Sequence, residues 1–152
     1  MSDLINKKCV PCEGGILPFD ISEIHKYQKK VDGWNISQNK KEIFFLNKKF
    51  IFKNFLESQN FINKVGQISE SEGHHPDILF GWGYAEIKIT THAIQGLSEN
   101  DFILAAKIDQ INQCLKCLVL ENTKIVSVLF AKFIISLSLI DPEGCITAEI
   151  PD

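Results

Sequence analysis

The chain has 152 residues, 45% hydrophobic content and a formal net charge of −3, enough apolar material for one ordinary domain and too much for a disordered chain. All sixteen basic residues are lysine, so the fork with which arginine reads guanine and phosphate is missing and a nucleic-acid partner is not expected. Met1 to Lys8 is short and polar and does not read as a secretory leader, so the expected compartment is the cytoplasm, where the five cysteines stay thiols.

Residues 1–19 read as an irregular N-terminal arm, with turn formers strung along Cys9-Val10-Pro11-Cys12-Glu13-Gly14-Gly15. Asp20 with Glu23 makes a capping box for a first helix over Ile21 to Val31, whose apolar face would hold Ile21, Ile24, Tyr27 and Val31. Asp32-Gly33 ends it. Trp34 to Ser37 and Glu42 to Phe52 read as two strands joined by the polar turn Gln38-Asn39-Lys40, an antiparallel hairpin.

From Lys53 to about Ser71, Phe55, Phe61, Ile62, Val65 and Ile68 recur at helical spacing, and Gly73 stops the run. A second hairpin follows, Asp77 to Trp82 and Tyr84 to Thr91 around Gly83, with Ala85, Ile87 and Ile89 alternating against Glu86, Lys88 and Thr90. Ser98 and Asp101 open a last helix running through Ile111 toward Leu115. This order, helix-strand-strand-helix-strand-strand-helix, predicts an α+β fold: a four-stranded antiparallel sheet with three helices on one face, spanning residues 20–113.

Three of the four histidines fall within nineteen residues: His74 and His75 side by side, and His92 seventeen positions on. Neighbouring side chains in extended chain point to opposite sides, so His74 and His75 cannot both be core, and a hairpin folding back at Gly83 brings residues 75 and 92 to one edge of the sheet. Imidazole gives and takes protons near neutral pH, which makes the cluster a candidate acid/base site. His25, in the run His25-Lys26-Tyr27-Gln28-Lys29-Lys30, reads as part of a solvated helix face.

The spaced set Glu70, His74-His75-Pro76, Trp82, His92 and Asp101 resembles the signature of the pterin-4a-carbinolamine dehydratases. Gly33-Trp34, Phe52-Lys53-Asn54-Phe55, Thr91-His92, Gly96-Leu97-Ser98 and Asn100-Asp101 are similar to the family as well. The resemblance implies a hydro-lyase that takes water from 4a-hydroxytetrahydrobiopterin to give quinonoid dihydropterin. It would support tetrahydrobiopterin recycling beside an aromatic amino-acid hydroxylase, with His74, His75 and His92 around the pterin. It implies no metal and no cofactor. Glu70 would orient an imidazole or bind the amino-pyrimidine edge, and Pro76, Trp82 and Asp101 complete the substrate-binding set. Trp82 is expected to pack and not to catalyse, and Asp101 to sit in the first turn of the last helix at the positive end of its dipole. Association into a homodimer or homotetramer is implied too. The alternative reading is a protein-interaction module of the dimerisation-cofactor or transcriptional-coactivator type.

Two Cys-x-x-Cys pairs, Cys9/Cys12 and Cys114/Cys117, lie too far apart for a compact zinc ribbon, and adjacent histidines rarely share one ion. Residues 114–152 have no counterpart in the resemblance. Their apolar stretch Ile125 to Ile140 is short of the ~20 residues that span a bilayer, so a membrane role is not expected and extra strands or a helix packed on the domain are.

Overall fold

Asp20 opens the first helix as the spacing predicts: its side chain accepts the Glu23 N–H and the Glu23 carboxylate accepts the Asp20 N–H, a complete capping box. The computed structural model describes residues 3–10 and 17–112. Helix α1 is Ile21–Gln28, three residues shorter than its apolar spacing suggests. Val31 is buried from the turn that follows, while Ile21, expected on the apolar face, is exposed.

Strands β1 (Asn35–Gln38) and β2 (Phe44–Ile51) form the first hairpin, α2 (Phe55–Glu72) follows, and β3 (Asp77–Gly81) and β4 (Tyr84–Ile89) form the second. Asn54 caps α2 by accepting the Glu57 N–H, and Gly73 closes it at φ 64°, in the left-handed region that glycine enters without strain. The last helix, α3, runs from residue 99 through 112. Residues 114–152, including the stretch 125–140 and the second cysteine pair, lie outside the described residues.

All strand pairs are antiparallel, in the order β1-β2-β4-β3. The chain therefore uses α2 to step past one position, lays β3 at the edge, and returns through β4 to fill the gap beside β2. On β4, Ala85, Ile87 and Ile89 are buried and their alternates are not, so one face of the sheet carries the core and the helices cover it. Phe61 of α2 meets Phe50 and Phe52 at ring distances of 4.7 and 5.1 Å, and Tyr27 of α1 meets Phe102 of α3 at 5.4 Å. Burying side chains of this size contributes about 1.5–3 kcal/mol each.

The described part of the arm is docked. Leu4, on a 3-10 turn over Asp3–Asn6, is fully buried. The Cys9 N–H donates to Glu72 of α2, and Val10 exchanges two hydrogen bonds with the Asn100 side chain of α3. Lys107 of α3 pairs with the same Glu72 at 2.6 Å. A shared carboxylate thus ties arm, α2 and α3 together.

Candidate active site

Gly73 ends α2 by turning the chain, and Pro76 then biases the residue before it to extended backbone. This is how one of two adjacent histidines goes inward and the other outward. His74 is buried, and its Nε2 lies 2.9 Å from Oδ1 of Asp101. His75 is exposed, with Nε2 3.2 Å from the exposed Glu70 one turn back on α2.

Asp101 is fully buried at the third position of α3. Its Oδ2 accepts the Ser98 N–H at 2.7 Å, the Thr91 hydroxyl at 2.8 Å and the Ser98 hydroxyl at 3.2 Å. Three donors occupy that oxygen, leaving Oδ1 for His74. A carboxylate only accepts, so in the neutral ring the proton lies on His74 Nε2 and Nδ1 keeps its lone pair. Asp101 therefore does more than face the helix dipole, the role expected from its position: it closes the N-terminus of α3 and fixes the tautomer of His74.

The register Asp77↔Lys88, followed three residues beyond that pair, sets position 74 opposite position 91. Asp101 joins those two residues in fact, since it bonds both His74 and Thr91. His92 comes next, opening the 3-10 turn His92–Ile94. Thr91 and Gly96 clamp that turn with two backbone hydrogen bonds of 3.0 and 3.4 Å, and Gln95 closes it at φ 52°. His92 is exposed and lines a cleft of about 260 Å³ together with Ile43, Phe45, Lys88, Thr90 and Gln95. His74 and His75 are not among the walls of that cleft.

Trp82 departs from expectation. It is 72% exposed and does not pack, because it stands in the turn joining β3 to β4 while the histidines stand at the open end of the same hairpin. Five residues of β3 separate the two ends, roughly 16 Å of strand. Thr91 and Ser98 belong with the site although spacing alone does not single them out; the signal was there in the capping pair Ser98 and Asp101, whose acid had one oxygen to spare.

Among the described residues no three His, Cys, Asp or Glu side chains are grouped as a metal site. No described helix is long and apolar enough to cross a membrane.

The fold is an α+β layer in which a helix-anchored carboxylate holds the buried His74, while His75 and His92 are exposed. The family description "Pterin 4 alpha carbinolamine dehydratase" matches residues 18–111. A protein of Rubrobacter xylanophilus named "Putative pterin-4-alpha-carbinolamine dehydratase" is 44% identical over 111 residues, 73% of this chain and 100% of that one. One of the same name from Halorhodospira halophila is 45% identical over 108 residues, covering 71% and 96%. The crystal structure of a "transcriptional coactivator/pterin dehydratase" from Brucella melitensis has the same fold, with a TM-score of 0.57 at 23% identity over 62% of this chain and 97% of that one. The chain belongs to the pterin-4a-carbinolamine dehydratase family.

Proposed function

We propose that this chain dehydrates 4a-hydroxytetrahydrobiopterin to quinonoid dihydropterin by histidine acid/base catalysis, in cytoplasmic tetrahydrobiopterin recycling beside an aromatic amino-acid hydroxylase. The observation that carries the reading is the pair His74–Asp101, an imidazole held in one tautomer by a carboxylate that is itself fully hydrogen-bonded. A base aimed by a third group is the arrangement that proton abstraction needs.

In this reading the carbon–oxygen bond at the 4a carbon breaks, and the oxygen leaves as water with a proton from an imidazolium. The lone pair of the adjacent ring nitrogen forms the new carbon–nitrogen double bond, and a ring N–H proton passes to an imidazole. No electrons are gained or lost overall. His74, through Nδ1, takes the ring proton; the acid is one of the two exposed imidazoles, His75 or His92, which re-equilibrate with solvent between turnovers, and the other positions the pterin. Each transfer contributes ~10² to 10⁴-fold. Glu70 steadies His75, and Pro76 sets its direction.

Self-association into a dimer or tetramer belongs to the same reading. Strand β3 is an edge of the sheet and leaves Leu79 60% exposed, an arrangement that natural sheets usually cover. Sedimentation of the purified protein checks it.

The test of function is the assay itself. Carbinolamine generated chemically from a tetrahydropterin should lose water far faster with the protein than without it. A rate equal to the spontaneous one would leave the fold in place and remove the activity.

A further inference from the structure

The cleft beside His92 is built from both hairpins, and its walls are unevenly charged. Besides the aromatic ring of Phe45 and the imidazole of His92, they include Lys41 and Lys88 and no carboxylate. The chain as a whole carries a net charge of −3, so this is not the reflection of a generally basic protein.

Neither lysine is firmly neutralised. Lys88 Nζ stands 4.6 Å from the centroid of Phe45, and its nearest carboxylate oxygen, Asp77 Oδ2, is 3.8 Å away across half-exposed surface. Lys41 has no ion pair among the described residues. Its backbone is nonetheless held, because Asn39 Oδ1 accepts the N–H groups of Lys41 and Ile43 at 2.8 and 3.1 Å. The next residue, Glu42, sits at φ 61°, a left-handed conformation that a non-glycine side chain adopts only where its surroundings impose it. The turn thus presents Lys41 to the cleft from a braced backbone.

A pterin ring is flat and uncharged, and the dihydroxypropyl group at C6 of biopterin is neutral. Both can accept hydrogen bonds from an ammonium group, but neither carries a negative charge to match two of them. A concave, carboxylate-free wall with two loosely paired cations favours an anion that can reach it. We propose that this cleft receives the substituent at C6 of the pterin, and that Lys41 and Lys88 make the enzyme prefer substituents ending in an anion, a carboxylate or a phosphate ester. The proposal rests on the dehydratase reading and narrows its substrate class; the two lysines are specificity residues and take no part in proton transfer.

The experiment uses the full chain and three carbinolamines, made from tetrahydropterins whose C6 group is dihydroxypropyl, carboxylate-ended or phosphate-ended. The readout is the ratio of kcat/KM for each anionic substrate to that for the neutral one, at low salt and near 0.5 M salt. At least one ratio should be about tenfold or more at low salt and shrink at high salt, as expected for exposed charges under screening. Lys88→Gln and Lys41→Gln should each lower it, and the double variant should bring it near one. Comparing carboxylate with phosphate identifies the anion. Ratios near one in the unmodified protein, or unchanged in the double variant, overturn the proposal. If no carbinolamine reacts at all, the dehydratase reading fails on its own account; equilibrium binding of the three oxidised, unreactive pterins still decides the cleft, since equal affinities refute the lysine preference.

Discussion

His74 and Asp101 are 27 positions apart in the chain and 2.9 Å apart in space, and the oxygen that Asp101 does not give to His74 closes the N-terminus of α3. In the proposed mechanism, the orientation of His74 and the capping of α3 therefore share one carboxylate. Changing it disturbs both.

Asp101→Asn keeps the size of the side chain but replaces an acceptor pair by one acceptor and one NH₂. At least one of the Ser98, Thr91 and His74 donors then loses its partner in a buried site, at about 1–3 kcal/mol. Turnover should fall by at least about tenfold because the His74 tautomer is no longer imposed. Thermal unfolding and the carbinolamine assay check the two losses together; unchanged turnover in a folded variant would detach Asp101 from the chemistry.

Alanine at His74, His75 or His92 should lower turnover by at least about tenfold each. His25 is exposed on α1 and its replacement should leave the rate as it is. The pH profiles separate the roles: loss of the acid removes the limb at high pH, and loss of the base the limb at low pH. A His75→Ala enzyme as fast as the original would show that His92 supplies the acid without it.

Acid should weaken the clamp between arm, α2 and α3. Burial alone would raise the Glu72 carboxyl, but the hydrogen bond from Lys107 and the Cys9 N–H outweigh it and hold the group below the usual carboxylate range. Glu99 is lowered as well, chiefly by its hydrogen bond from Lys7. A lowered folded-state pKa means stability that is present above the unfolded value, ~4.3 for glutamate, and lost as pH falls through the folded one. Asp109 acts the other way: burial raises its carboxyl despite the Lys48 ammonium 2.6 Å away, so its charge costs stability above that raised value and the cost vanishes in acid. Denaturant unfolding at pH 7 and near pH 3.5 should show a smaller acid loss in Glu72→Gln than in the original protein. Identical losses would mean that Glu72 is not linked to folding.

Burial pushes the Cys9 thiol up to about 12, with Glu72 adding to the effect, and its S–H points at the Asn100 carbonyl. Hardly any thiolate exists at neutral pH, so alkylation of Cys9 in the native protein should be slow and become fast on unfolding, as peptide mapping by mass spectrometry would show. Serine at Cys9 can make the same donation and should leave the melting temperature nearly unchanged. Asn100→Ala, which removes the two hydrogen bonds between Asn100 and Val10, should lower stability by about 1–3 kcal/mol. The reverse ranking would place the arm's anchorage in the thiol.

Local physics determined most of the elements without help from the fold. Asp20 with Glu23, Asn54 and Gly73 mark helix ends because capping is settled within four residues, and the alternation Ala85, Ile87, Ile89 marks a one-sided strand because the pleat has period two. The same locality explains why the spaced set from Glu70 to Asp101 was legible as a family likeness. What the chain alone could not decide is whatever depends on partners distant in sequence. The order β1-β2-β4-β3 follows from which edge α2 delivers β3 to, and period two is blind to that choice. Adjacent histidines had to split between inside and outside, yet only the arrival of Asp101 from α3 makes His74 the buried one. Trp82 looked like packing because it is large and apolar, but a turn between two short strands has no third layer to cover it. The arm reads as loose because its residues lack periodicity, and it is held instead by a hydrogen bond to Glu72 and two to Asn100, which carry no periodic trace in the sequence.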